Sequence, residues 1–168
     1  MYLYIYMLTV PLRYIPFGLS KKERKQQATM LKKSRKLYKQ QKYYTRKALP
    51  SYKHKVSKHI LKARRVYKVD KIGPTKEFAQ ATGCSINALK RIIQKGQGAY
   101  FSSGSRPNQT AQSWGVARLA SAVTGGKASA VDFHILEKGC KHTKKAYKLA
   151  KRNKSNYGKH RVPKVTIY

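Results

Sequence analysis

The sequence predicts a mainly α-helical protein, with a small helix-turn-helix-like core between long basic N- and C-terminal arms and short extended termini. Three observations carry that prediction. Apolar residues recur at helical spacing through most of the chain, glycine and proline pairs punctuate those runs, and positive charge is concentrated towards both ends.

The chain opens on MYLYIYMLTVPLRYIPF, an apolar and aromatic stretch. Tyr2, Tyr4 and Tyr6 alternate with Leu3, Ile5 and Met7, a strand pattern with two apolar faces that must be covered, either by the chain's own core or by a neighbour. The stretch lacks the positive start and small-residue end of a signal peptide. Pro11 and Arg13 interrupt it, short of the ~20 apolar residues that span a membrane. Tyr2–Val10 is therefore expected to dock as a strand on a partner's sheet edge or groove, with membrane contact near the N-terminus as the alternative.

Ser20-Lys21-Lys22-Glu23 has the spacing of a capping box and opens a helix running toward Tyr44. Its apolar residues (Ala28, Leu31, Leu37 and Tyr38) are too sparse to stabilise it alone. After Pro50, residues Val56, Ile60, Ala63 and Tyr67 define a second basic helix, and Gly73-Pro74 marks the entry to the core. Thr75 to Thr82 reads as a short helix and Gly83-Cys84-Ser85 as a tight turn. Ser85 caps a further helix ending near Gln94, with Gly96 as its stop. A Gly- and Ser-rich loop from Gly96 to Thr110 follows, and its formal glycosylation sequon Asn108-Gln109-Thr110 reads as a turn. Val116, Leu119, Ala120 and Val123 mark the next helix, closed by Gly125-Gly126. Ala128, Val131, Ile135 and Leu136 mark another, stopped by Gly139. A basic helix over Thr143–Arg152 precedes the extended tail VPKVTIY. The organisation is an apolar arm (1–19), a basic helical arm (20–69), a small helical core (70–140) and a basic C-terminal helix and tail (141–168).

The charge is the constraint on function. Thirty-nine lysines and arginines face five acids in 168 residues, a formal net charge of +34. A compact state gains nothing from such self-repulsion, so a polyanion or an acidic protein surface is expected to neutralise it. Residues 1–69 carry twenty of the cations and one acid, Glu23, while residues 140–168 carry ten cations and no acid. Tails this charged are expected to become ordered only when a partner holds them. The core between them is mildly basic, its nine cations facing Asp70, Glu77, Asp132 and Glu137. Acids are too few for paired-carboxylate catalysis, and no nucleophile has an evident base and orienting group, so an enzyme is not expected. Cys84 and Cys140 make no disulfide framework and fit a reducing interior. With His134 and His142 they match no common zinc spacing, and no metal or other cofactor is expected.

Phe78-Ala79, Gly83, Leu89 and Ile92 follow the helix-turn-helix pattern. Small Ala79 permits close packing, Gly83 takes the left-handed turn, and Leu89 and Ile92 pack the second helix on the first. Ser85, Asn87, Lys90 and Arg91 then face outward, where a recognition helix would meet DNA, although a generic helical hairpin gives the same packing. Thr82 stands where an aliphatic residue is usual. The loop GQGAYFSSGSRPNQT offers backbone amides to a phosphate, with Lys95 and Arg106 beside it, or is a structural loop pinned by Tyr100, Phe101 and Trp114. Gly125-Gly126-Lys127 fails the Walker pattern at Ser121 and Ala128. In the arms, Tyr38, Tyr43, Tyr44, Tyr52, Tyr67, Tyr147, Tyr157 and Tyr168 interleave with cations, a mixture that stacks on bases, stabilises cations or serves protein interfaces.

From Tyr43-Tyr44-Thr45-Arg46-Lys47 to about residue 145, and most specifically in SSGSRPNQTAQSWGVARLAS, the chain resembles an uncharacterised basic domain of nucleocytoplasmic large DNA viruses, such as those infecting algae, and of some tailed phages. The resemblance implies a viral origin and no assigned activity. Two functions follow as expectations. The first is a minor capsid protein of a large double-stranded DNA virus, placed on the inner face of the shell in the virion after assembly in host cytoplasm or nucleus. Its partners are then the capsid proteins and, on the positive surface, the viral genome. The second is a DNA-binding or condensing protein that lays the Ser85–Gln94 helix in the major groove. Either function is expected to use Asn87, Lys90, Arg91, Lys95 and Arg106 of the core with Lys32, Lys33, Arg35, Lys36, Arg64, Arg65, Lys144, Lys145, Lys151 and Arg152 of the arms.

Overall fold

Local capping chemistry sets where the helices begin. In a computed structural model that describes residues 7–159 and 161–168, Ser20 caps helix α1 (Lys21–Lys39) by accepting from the Glu23 amide at 3.2 Å. Ser57 caps α2 (Lys58–Tyr67), and Thr75 caps α3 (Lys76–Thr82). Helices α4 (Ile86–Ser102), α5 (Ala111–Val123), α6 (Lys127–Val131), α7 (Phe133–Gly139) and α8 (Lys145–Asn153) follow. Strands β1 (Leu8–Pro11) and β2 (Lys164–Ile167) make up the sheet, so the chain is mainly helical. Its residues divide into two compact units, one of the described residues in 1–54, 98–111 and 161–168, the other of those in 55–97 and 112–160.

In the first unit, β1 pairs antiparallel with β2, in the register Leu8 to Ile167 and Val10 to Val165. Directly opposed residues share a face, so these four apolar side chains lie on one side and Thr9 with Thr166 on the other. Val10 and Ile167 are buried. Over Leu8–Val10 this segment pairs with the chain's own C-terminal strand, while Tyr2, Tyr4 and Tyr6 of the expected docking strand lie outside the described residues. The buried side of α1 is half polar. Gln27 donates to the Tyr14 carbonyl, Ser34 donates to the Phe101 carbonyl, and Leu31 fills the space beside them. Leu19, Met30 and Leu49 form a small apolar cluster under Tyr44 and Tyr52.

Helix α1 ends at Lys39 rather than near Tyr44. Gln41 takes a left-handed conformation (φ 59°), the Lys42 amide bonds back to the Leu37 carbonyl and the Gln41 amide to that of Tyr38. This is a Schellman stop made without glycine, so the sequence carries no mark of it.

The second unit is built on Phe78, Leu89, Ile92, Leu119, Val123, Ile135, Leu136 and Ala146, all essentially fully buried. Helix α4 runs past Gly96 instead of stopping there. A Cβ on Gly96 would lie 2.6 Å from the Cα of Gly115, so the two glycines are where α4 and α5 cross at backbone contact. The expected single helix over 128–139 is broken at Asp132, whose carboxylate turns to Arg118 and Lys95. Basic α8 buries Ala146, Tyr147 and Ala150 in the same core. Contacts within the chain thus anchor part of each basic arm, α1 in the first unit and α8 in the second.

The two cysteines are also corrected. Cys84 and Cys140 form a disulfide, with their Cα atoms 3.9 Å apart. The Ser85 amide donates to the Gly139 carbonyl and the Lys141 amide to that of Gly83. The bonded residues thus form the closely spaced, non-hydrogen-bonded pair of a short antiparallel bridge. Two cysteines separated by 56 residues leave no local signature of such pairing.

This packing sets three expectations for stability. Gly96→Ala should cost about 1–3 kcal/mol by forcing the crossing apart, measured by urea unfolding. Gly98→Ala in the same helix meets only the Tyr38 hydroxyl at 3.7 Å and should stabilise by about 0.5–1 kcal/mol. Removing the bridge with the Cys84→Ala/Cys140→Ala pair should lower stability by about 2–4 kcal/mol, and a thiol reductant should bring the parent protein down to the same level.

Candidate nucleic-acid interface

The segment Thr75–Gln94 has the sequence-predicted turn chemistry. Thr75 Oγ1 accepts from the Phe78 amide at 3.2 Å and opens α3. Gly83 takes a left-handed conformation (φ 76°) at the end of α3, and Ser85 Oγ accepts from the Ala88 amide at 3.1 Å to open α4. A Cβ on Gly83 would lie 2.4 Å from Cγ of Lys144, so the aliphatic stem of that lysine lies across the turn. Thr82, at the place where an aliphatic residue is usual, is fully buried. Its hydroxyl donates to the Phe78 carbonyl at 2.8 Å and accepts from the Cys84 amide at 3.3 Å. The hydroxyl therefore replaces apolar packing with two hydrogen bonds inside the motif.

On α4, Ala88, Leu89, Ile92 and Ile93 face the core, while Asn87, Lys90, Arg91 and Gln94 are exposed. Those four stand at i, i+3, i+4 and i+7 and form one continuous stripe. The stripe holds one amide pair and two cations with no acid among them. An amide side chain offers a donor and an acceptor to a base edge, and the cations bind phosphate or guanine. The preceding disulfide, the two bridge hydrogen bonds and the Lys144 stem fix the turn from which the helix projects.

The other expected site residues fare differently. Lys95 is not a free cation: its Nζ lies 2.9 Å from Oδ1 of Asp132, whose two oxygens also accept from Arg118 at 2.7 and 2.8 Å. Burial pushes the Asp132 carboxyl up, but hydrogen bonds and charge from Arg118 and Lys95 outweigh it and leave the group below its ordinary range. Arg35 is also engaged, donating twice to the Ser103 carbonyl at 3.1 and 2.8 Å. Lys33 sits over the Tyr44 ring at 4.6 Å, and Lys32 is half-buried. Lys36 and Arg106 are exposed in the first unit. Arg64 and Arg65 on α2, with Lys144, Lys145, Lys151 and Arg152 at α8, are exposed in the second. The loop 103–110 is structural: the Asn108 side chain accepts from the Leu49 amide and donates to the Leu49 and Tyr52 carbonyls. That use of its amide nitrogen agrees with reading the sequon as a turn.

Two residues organise the first unit: Arg46, whose buried role the sequence did not mark, and the capping-box Glu23, whose link to Ser51 it did not. Arg46 is buried with no acid beside it, and its guanidinium donates to Ser34 Oγ, Ser105 Oγ and the Tyr100 carbonyl while lying 3.8 Å over the Tyr100 ring. Desolvation lowers its pKa from the usual arginine value, with the neighbouring tyrosines opposing. Glu23 accepts from Ser20 and from both the amide and hydroxyl of Ser51, and the Ser51 amide holds its carboxyl below the ordinary range. No helix among the described residues is long and apolar enough to cross a membrane.

A family model described as a family of unknown function (DUF5824) matches residues 11–139, a span that contains α1 to α7 and includes the whole α3–turn–α4 segment. No curated protein and no solved structure matches the chain.

The buried carboxylate gives a pH test. Because the Asp132 pKa is lowered on folding, its contribution to stability is present above the unfolded value and is lost as pH falls through the folded one, below about pH 4. Asp132→Asn should cost about 2–3 kcal/mol at neutral pH, measured by urea unfolding, and should flatten the acid limb of the stability curve.

Proposed function

The chain belongs to the family of unknown function DUF5824, and we propose that it is a non-enzymatic DNA-binding protein that presents α4 to the major groove of a viral genome. The single observation that carries this reading is the stripe Asn87, Lys90, Arg91 and Gln94, exposed on the helix that follows a glycine turn and free of acids. In this arrangement Asn87 and Gln94 read base edges, Lys90 and Arg91 bind phosphate or guanine, and Lys144 contacts the backbone beside the turn. The exposed arm cations (Lys36, Arg64, Arg65, Lys145, Lys151 and Arg152) add sequence-independent affinity through counterion release. The resemblance of SSGSRPNQTAQSWGVARLAS to a basic domain of large DNA viruses and tailed phages supports the choice of a viral genome as the ligand.

The alternative function is a minor capsid protein on the inner face of the shell, and one observation favours it. Leu12, Arg13, Pro16, Phe17, Val162 and Pro163 line a cleft of about 420 Å³ in the first unit, and Phe17 is 77% exposed at its rim. An apolar cleft of that kind suits an extended segment of a shell protein. Particles emptied of DNA separate the two functions, because a shell component stays with the capsid and a genome binder leaves.

On the DNA-binding reading, Lys90→Ala/Arg91→Ala should weaken duplex binding at least tenfold and reduce the slope of log affinity against log salt by about 1–2. Asn87→Ala should lower the preference among duplex sequences while leaving that slope unchanged. Fluorescence anisotropy across a salt series measures both. Undiminished duplex affinity in the double variant would remove α4 from the interface.

A further inference from the structure

Tyr43 combines high exposure with fixed geometry. It lies just beyond the Schellman stop of α1, in a segment whose exposed neighbours include Lys36, Lys39 and Lys42. Its side chain is 72% exposed. A tyrosine that open gains little from burial, yet its ring is held from two sides. The Phe101 ring lies 5.1 Å away, tilted at 58°, and the Tyr38 ring 6.2 Å away at 61° in an edge-type contact.

Those supports are themselves anchored. Phe101 meets the fully buried Tyr100 ring edge to face at 5.0 Å. Tyr100 in turn is covered by the Arg46 guanidinium, and its hydroxyl accepts from the Arg46 amide at 3.0 Å. The chain of contacts therefore runs from a buried arginine through two aromatic rings to an exposed one, all within the first unit. No acid lies between Glu23 and Asp70 in the sequence, so the surrounding segment is uniformly cationic.

We propose that Tyr43, steadied by Phe101 and Tyr38, is a stacking platform for the unpaired bases of single-stranded nucleic acid, with Lys39 and Lys42 holding the flanking phosphates. A fixed aromatic face beside cations is the arrangement that binds single strands without regard to sequence, because each base offers a π-face and each linkage a charge. A duplex cannot use it, since its bases are already stacked. The site thus adds a ligand class, unpaired nucleotides, to the duplex reading of α4 and does not depend on that reading.

The test uses the full chain and three labelled probes of equal length followed by anisotropy: an oligothymidylate, its abasic counterpart and a duplex. Tyr43→Ala should weaken oligothymidylate binding about tenfold, leave duplex binding within about twofold, and make the variant treat thymidylate and abasic strands alike. Tyr43→Phe should retain the parent affinity, because stacking needs the ring and not the hydroxyl. The proposal is overturned if Tyr43→Ala binds oligothymidylate like the parent, if it loses duplex and single strand equally, or if the parent binds the abasic strand as tightly as thymidylate. Should Tyr43→Ala shift the thermal unfolding midpoint, Tyr43→Leu replaces it as the variant to read. Loss of single-strand affinity in that variant supports the platform, and retention overturns it.

Discussion

With five carboxylates for thirty-nine cations, few basic groups of this chain have an acid beside them, and the buried Arg46 is not among those that do. An unpaired charge removed from water costs several kcal/mol, so buried cations need other acceptors. Arg46 finds them in two hydroxyls, a carbonyl and the face of Tyr100; the half-buried Arg35 takes the Ser103 carbonyl. The buried acids are likewise committed to structure. Asp132 ties Lys95 on α4 and Arg118 on α5 to the break between α6 and α7, and Glu23 ties the start of α1 to Ser51. With Glu23 and Asp132 committed inside, only Asp70, Glu77 and Glu137 remain exposed to face the surface cations. The surface charge is thus a consequence of composition that packing does not relieve.

The same scarcity explains why close backbone approach matters. A modest core surrounded by repelling charge has little apolar area to spare. Gly96 and Gly115 let α4 and α5 meet at backbone contact, and the Cys84–Cys140 bridge closes a long loop that would otherwise add to the entropy of the unfolded chain. Both devices act on α4. One sits at its crossing with α5 and the other immediately before its first turn, so the helix that carries Asn87, Lys90 and Arg91 is held at two points.

What the sequence made legible was local. Ser20 with Glu23, Thr75, Ser85 and the left-handed Gly83 announce helix ends because their partners lie within four residues. The features that escaped depend on partners far along the chain. Gly96 reads as a stop until Gly115 is placed against it. The strand near the N-terminus reads as a docking segment until β2 is found opposite, at the other end of the chain. Lys95 and Arg35 read as free cations until Asp132 and the Ser103 carbonyl are seen beside them. Gln41 hides a helix stop because a residue with a Cβ rarely adopts that conformation. For the site, Asn87, Lys90 and Arg91 on the outward stripe of α4 were legible from periodicity, whereas Gln94 read only as the end of the helix. The aromatic support beneath Tyr43 was not legible, since Phe101 is remote in sequence and the expected loop placed it outside any helix.

If the chain binds nucleic acid as proposed, its charge cannot be what distinguishes one ligand from another. Electrostatic affinity is additive over phosphates, falls with salt, and is blind to base identity. Discrimination must come from uncharged groups held at fixed positions among the cations, since only they respond to the edge or face of a base. In the two proposed sites those groups are the amides of Asn87 and Gln94 on α4 and the ring of Tyr43 beyond α1. Each sits on a support that the scarce structural contacts make rigid, the bridged turn in one unit and the Arg46–Tyr100 stack in the other. On this view the fold converts a uniform positive field into two distinct surfaces by deciding which neutral side chains stand still within it.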